Sequence, residues 1–218
     1  KAKEEEQQKH IEEMEAMGYD LTDYKEALAE KIGGATKEEM EAAKKQALLH
    51  DRTIKKGADL VDAKGRKFQL RGVSTHGINW DVGYPYVNKA AFQTLRDDWG
   101  ANAVRLAMYT SEYNGYCSGG NQLALRMQIY KGVKYATELG MYVIIDWHIL
   151  NDGNPMTQLA QAKSFFMMMA KNFRKQNNII YEICNEPNGC SWTSIKSYAA
   201  QVIKVIRKYD KNGIIVVG

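Results

Sequence analysis

Short apolar runs recur along the last three-quarters of the chain at near-constant spacing, and amphipathic stretches fill the gaps between them. The runs fall at 68–74, 103–109, 142–147, 179–185 and 214–218, their starts separated by 35, 39, 37 and 35 residues. Tyr142-Val143-Ile144-Ile145 and Ile214-Ile215-Val216-Val217 are continuously apolar, as strands covered on both faces of a parallel sheet are. Helical spacing of apolar positions predicts helices over 89–98, 123–139, 159–174 and 194–209. Met127, Tyr130, Val133 and Ala136-Thr137 trace one face, and Tyr198, Val202, Val205 and Tyr209 another. Ahead of the first run, Leu60 to Leu70 reads as a hairpin turning at Ala63 to Arg66. Strand, helix, strand at this period predicts parallel βαβ units with right-handed crossovers.

Two architectures share that period. A doubly wound sheet carries a Gly-rich phosphate turn after its first strand, and Ser74-Thr75-His76-Gly77 is not one. Polar and aromatic residues instead gather at the C-terminal end of each strand, the active face of a TIM barrel. The expected fold class is therefore α/β, a (β/α)8 barrel. Eight such units need roughly 300 residues, and five are present, so residues 58–218 read as part of a barrel domain. An unclosed barrel leaves an open strand edge, an aggregation liability.

Residues 1–57 have another character. They contain no Trp and no Pro, and they hold 11 Lys/Arg against 14 Asp/Glu, whereas the remainder holds 19 against 12. Helices are expected over 2–17, ending at Gly18, over 22–32, ending at Gly33-Gly34, and from Thr36, where Glu39 completes a capping box. This small α-helical extension is either a solvated spacer or a docking module. The net charge of +4 is mild and forms no basic stripe, which argues against nucleic acid. No run of about 18 apolar residues suggests a membrane span. Cys117, Cys184 and Cys190 lack the spacing of a metal or redox site. Cys184 reads as a core residue, while Cys117 and Cys190 fall in loops and are candidates to pair in an oxidising compartment. With no initiator Met or signal peptide, the sequence reads as a trimmed or partial chain.

The strand ends carry the candidate chemistry. The first closes on Ser74-Thr75-His76-Gly77-Ile78-Asn79-Trp80, and the second holds Val104-Arg105-Leu106-Ala107-Met108-Tyr109. The third ends in Asp146-Trp147-His148 and the fourth in Asn185-Glu186-Pro187. His, Arg, Trp, Asn and Glu around one mouth suit a sugar: rings stack on its apolar faces, and planar polar groups meet its hydroxyls. A Glu186 carboxyl half-enclosed by Trp and His would be raised by desolvation and could protonate a leaving glycosidic oxygen. Its bland alternative is a rim ion pair with Arg105. Asp146 is expected to point into supporting structure, and Trp99, at a helix end, into the core. Trp147 and Trp192 fit either the core or the site.

Five stretches resemble glycoside hydrolase family 5, most closely its bacterial endoglucanases. They are Leu-Arg-Gly-Val-Ser-Thr-His-Gly-Ile-Asn-Trp (70–80), Leu-Arg-Asp-Asp-Trp-Gly-Ala-Asn (95–102), Val-Arg-Leu-Ala-Met-Tyr-Thr (104–110), Tyr-Val-Ile-Ile-Asp-Trp-His-Ile-Leu (142–150) and Ile-Ile-Tyr-Glu-Ile-Cys-Asn-Glu-Pro-Asn-Gly (179–189). The resemblance implies a secreted, retaining endo-β-1,4-glucanase acting on cellulose or related β-glucan, without metal or organic cofactor. It makes Glu186 the acid/base, Asn185 the ligand of the sugar 2-hydroxyl, and Arg105 the residue that holds the nucleophile ionised. His148 stands beside the catalytic centre, and His76, Trp80 and Tyr109 bind sugar on the non-reducing side. The family's nucleophile, a glutamate at the seventh strand, has no counterpart here. Neither Asp146 nor Glu112 matches its motif, so the chain alone is expected to hydrolyse little or nothing. A mannanase, xyloglucanase or lichenase would share this frame. A non-catalytic glucan-binding remnant using His76, Trp80 and Trp147 as a platform is a further alternative, and neighbouring modules in a longer polypeptide are possible partners.

Overall fold

The computed structural model describes residues 54–56, 59–61, 64–80 and 86–218. The three helices expected within residues 1–53 lie outside the described residues. A two-stranded antiparallel ladder pairs β1 (Ile54–Lys56) with β2 (Asp59–Val61). The hairpin expected from the sequence follows: Val61 bridges Lys67, the Phe68 amide donates to the Leu60 carbonyl at 2.8 Å, and Gly65 takes the left-handed conformation between them. Strand β1 was not foreseen; it pairs on the other side of β2.

The main sheet has five parallel strands in sequence order. They are β3 (Gly72–Ser74), β4 (Ala103–Tyr109), β5 (Tyr142–His148), β6 (Ile179–Glu182) and β7 (Ile214–Val216). Helices α1 (Lys89–Asp97), α2 (Gln122–Glu138), α3 (Leu159–Phe173) and α4 (Trp192–Arg207) make the crossovers, with a 3-10 turn, Pro155–Gln158, leading into α3. Asn88, Asn121 and Ser191 cap α1, α2 and α4 by accepting from the amides of Ala91, Ala124 and Ser194. Each cap stops the loop from running on and gives the helix a fixed start above the strand ends.

Period two divides the sheet into two faces. Val104, Leu106 and Met108 of β4, Val143, Ile145 and Trp147 of β5, and Ile179 and Tyr181 of β6 enter the large core beneath the helices. From the helices come Phe92, Ile129, Val133, Phe165, Phe166, Tyr198 and Val202. The residues of opposite parity face the barrel axis. At the N-terminal end of that face Ala103, Tyr142 and Ile180 form a small second cluster with Phe68, Leu70, Ile144 and Ile214.

Trp147 settles into the helix-side core, fully buried against Tyr116, Phe165 and Phe166, which removes it from any sugar platform. Trp192 begins α4 and is 67% exposed. Trp99 contradicts the expectation of a core residue, being 69% exposed. The stripe of Phe92 and Leu95 would reach it only if the helix continued. Instead α1 stops at Asp97, Gly100 turns left-handed, and the Ala101 amide closes back on the Leu95 carbonyl at 2.9 Å. Cys184 is a fully buried core residue, as expected. Cys117 and Cys190, candidates to pair, are both free thiols.

The run at 68–74 forms a regular strand only over its last three residues. Ahead of them the Asn102 amide stands in for a ladder, its Oδ1 accepting from the Arg71 amide at 2.7 Å and its Nδ2 donating to the Gln69 carbonyl at 2.9 Å. Replacing Asn102 with Ala should therefore cost about 1–2 kcal/mol and speed amide exchange at Arg71 more than at Val104. Urea unfolding together with hydrogen exchange checks this, and an unchanged Arg71 amide would contradict it.

Candidate active site

Charged residues interrupt three strands whose neighbours are apolar: Arg105 within β4, Asp146 within β5 and Glu182 as the last residue of β6. Their parity puts all three on the axial face, above the small apolar cluster. Arg105 meets Glu182 as a two-pronged fork, with Nε to Oε2 and Nη2 to Oε1, both at 2.7 Å. Nη2 also donates to Asn185 Oδ1 at 2.9 Å and lies 3.0 Å from Asp146 Oδ2, while Nη1 reaches Ser74 Oγ at 3.3 Å. Burial alone would make Arg105 easier to deprotonate. The bond to Glu182 and the charges of Asp146 and Glu182 outweigh it, so the cation is held more firmly than usual.

The network closes through His148. Its Nδ1 is 2.5 Å from Asp146 Oδ2, and its Nε2 is 3.3 Å from Asn185 Nδ2. With Asp146 accepting at Nδ1, the Nε2 atom takes the hydrogen bond that Asn185 donates, which assigns the neutral tautomer. Asn185 Nδ2 gives its other hydrogen to the Ile149 carbonyl at 3.1 Å, and the Asn185 amide donates to the Trp147 carbonyl at 3.2 Å. Asn185 is thus buried and held from three directions.

Glu186 stands next to it. The regular strand ends at Glu182, not at residue 185 as the apolar run suggests. Irregular ladder bonds carry the chain on, from the Ile183 amide to Val216 and from the Gly218 amide to Cys184. Glu186 is exposed rather than half-enclosed by Trp and His. Nor does it form the rim ion pair with Arg105, whose fork Glu182 occupies. It remains close enough to act electrostatically on Tyr109. That hydroxyl is harder to ionise than usual, first through burial and then through the negative charges of Asp146, Glu112 and Glu186.

Tyr109, His76 and Trp80 form a row. Ring centroids are 4.1 Å apart for Tyr109 and His148, 4.7 Å for Trp80 and Tyr109, and 4.7 Å for His76 and Trp80. Gly77 makes the row possible, since a side chain there would strike Asn79 and the rings of Tyr109 and Trp80. His76 is exposed and Trp80 half-buried, so the row offers aromatic surface at the mouth. The seven residues singled out from the sequence therefore share one rim. Glu182, which ties the network together, was missed. A lone carboxylate inside Ile179-Ile180-Tyr181-Glu182-Ile183 was the available signal.

The cellulase (glycosyl hydrolase family 5) profile matches residues 61–218. The chain belongs to glycosyl hydrolase family 5. Among its relatives in that family, Endoglucanase A of Butyrivibrio fibrisolvens is 50% identical over 182 residues, 78% of this chain and 41% of that protein. An endoglucanase of Clostridium saccharobutylicum is 51% identical over 164 residues, 74% of this chain and 36% of that protein. The catalytic domain of a Thermobifida fusca endoglucanase superposes with a TM-score of 0.72 at 39% identity, over 79% of this chain and 56% of that domain. A variant of the Thermobifida domain has been solved with cellotetraose. The chain thus spans about two-fifths of the curated family 5 relatives it matches and about half of the solved domain.

Asp146 gives this family 5 site a testable electrostatic signature. Burial pushes its carboxyl up to about 6, against the opposing pull of His148 and Arg105. An acid raised in the folded state adds stability fully below its unfolded value near pH 4 and loses it as pH climbs to about 6. The parent chain should therefore lose stability relative to Asp146→Asn as pH rises from about 4 to about 6. Urea unfolding across that range reads the difference, and a relative gain with rising pH would contradict the burial account.

Proposed function

We propose that this chain supplies the acid/base half of a retaining endo-β-1,4-glucanase, with Glu186 as the proton donor. The observation that carries the proposal is the contrast between two neighbours. Asn185 is fixed by Arg105, His148 and the Ile149 carbonyl, while Glu186 stands exposed on the same rim as the Tyr109 and Trp80 rings. A rigid neighbour that presents an accessible carboxyl to an aromatic-lined mouth suits a group that must meet a glycosidic oxygen.

In the first step the Glu186 carboxyl gives its proton to the glycosidic oxygen as the C1–O bond breaks, and a second carboxylate bonds to C1. In the second, Glu186 as carboxylate takes a proton from water, whose oxygen attacks C1 and releases the second carboxylate. The configuration at C1 is retained. That second group must lie about 5–5.5 Å from Glu186. Arg105 commits its Nε and Nη2 to Glu182, so Nη1, which also reaches Ser74 Oγ, is the nitrogen with a second hydrogen to offer it. In this reading the nucleophile is a glutamate beyond residue 218 of a longer polypeptide, and residues 58–218 are the first part of its catalytic domain. A polymeric substrate places the enzyme outside the cell, and β-1,4-glucan is favoured by the endoglucanase names of the relatives.

Purified residues 1–218 should release essentially no reducing ends from carboxymethylcellulose. A polypeptide extended to include the downstream glutamate should hydrolyse it with retention, followed by proton NMR of the first-formed anomer. In that extended protein Glu186→Gln should lower kcat about 10²–10⁴-fold. Turnover by 1–218 itself, or an extended Glu186→Gln protein within a factor of a few of the parent, would contradict the assignment.

A further inference from the structure

Resting on the glucanase reading above, we propose that Tyr113 is an additional sugar-binding platform that holds a glucose unit of a β-glucan chain beyond the one stacked on Trp80. Tyr113 lies in the loop between β4 and α2 and is 80% exposed, the most exposed large hydrophobic residue among the described residues. Its carbonyl is gripped at once by Trp80 Nε1 and by Asn79 Nδ2, both at 2.8 Å. Tyr113 is therefore fixed to the in-plane edge of the Trp80 indole, whose face already belongs to the aromatic row.

The loop that carries the ring is built not to give way. Asn114, next in sequence, takes a φ of 54°, the only non-glycine with positive φ among the described residues. Backbone of that kind persists where its surroundings hold it. Here the Gly115 amide bonds to Glu112, Tyr116 to Tyr109, Cys117 to Thr110, and Gly120 to Gly115, at 2.7–3.0 Å. Ser118 Oγ donates to the Glu112 carbonyl. Gly120 presses so closely on the Asn114 carbonyl that a side chain has no room there. The Glu112 carboxylate then ties the loop to the next one through the Asn151 amide at 3.0 Å and Asn151 Nδ2 at 2.8 Å.

All these bonds use backbone or neighbouring side chains, and none uses the Tyr113 ring. A large apolar ring held in water on a pinned loop, beside an indole already placed to stack a pyranose, has the chemistry of one more stacking surface. Its expected ligand is an extended β-linked glucan chain, long enough to pass from the Trp80 face onto Tyr113.

The test titrates the 218-residue chain calorimetrically with cellobiose and with cellohexaose. Tyr113→Ala should weaken cellohexaose binding by about three- to tenfold and leave cellobiose binding unchanged, and Tyr113→Phe should bind both as the parent does. Cellohexaose affinity unchanged in Tyr113→Ala would overturn the platform and leave the glucanase reading standing. Equal weakening for both sugars would mean the substitution acts through the loop's shape, and a loss in Tyr113→Phe would mean the hydroxyl binds rather than the ring. Either result overturns the stacking role. No binding of either sugar by the parent chain would overturn the platform, while the glucanase reading stands or falls on the extended protein's hydrolysis.

Discussion

The guanidinium of Arg105 joins three strands of the sheet on the face that looks toward the barrel axis. Its fork on Glu182 is bidentate, which fixes orientation as well as distance, and its remaining contacts reach Asn185, Asp146 and Ser74. An ion pair so placed is a poor source of net stability, because taking charges from water costs about what their attraction returns. What it contributes is position. Were the fork to open, Asn185 would lose the donor to its Oδ1, Asp146 its cation, and His148 the arrangement that sets its tautomer. Glu186 follows Asn185 directly in the chain, so its place on the rim depends on the same anchor.

The two faces of the sheet explain how so polar a group is tolerated. On the helix side, β-strand residues and four amphipathic helices make one continuous apolar core. On the axial side the apolar layer is shallow, made from Ala103, Tyr142 and Ile180, and polar residues follow directly above it. Alternation along each strand sends Arg105 and Asp146 one way and Leu106, Ile145 and Trp147 the other. A single-residue register slip would exchange the two sets and bury the wrong one. The wide apolar face therefore supplies stability, and the narrow axial face is left to hold the site.

Much of this was legible in the sequence. The repeat of apolar runs placed strands and helices to within a few residues, and polar residues at strand ends marked the rim. Trp99 misled because its place at a helix end, away from the rim, was read as core, whereas the chain turns at Gly100 just past the helix and leaves the indole in solvent. The first strand was read too long because the Asn102 side chain, 31 residues ahead of Arg71 in the chain, replaces part of its ladder. Cys117 and Cys190 shared only their loop placement, which says nothing of distance. Glu182 escaped notice because the apolar run continues to residue 185, which put the expected strand end three residues past the carboxylate that anchors Arg105. Periodicity reports faces and ends; it does not report which side chains clasp across strands.

A double-mutant cycle on the fork tests the central claim most directly. Arg105→Met and Glu182→Leu should each destabilise the chain by about 1.5–3 kcal/mol, because each leaves a part-buried charge without its two-pronged partner. The double replacement should cost less than the sum by about 2 kcal/mol or more. Additive losses, or single losses within about 0.5 kcal/mol of zero, would show that the site is not built on this pair.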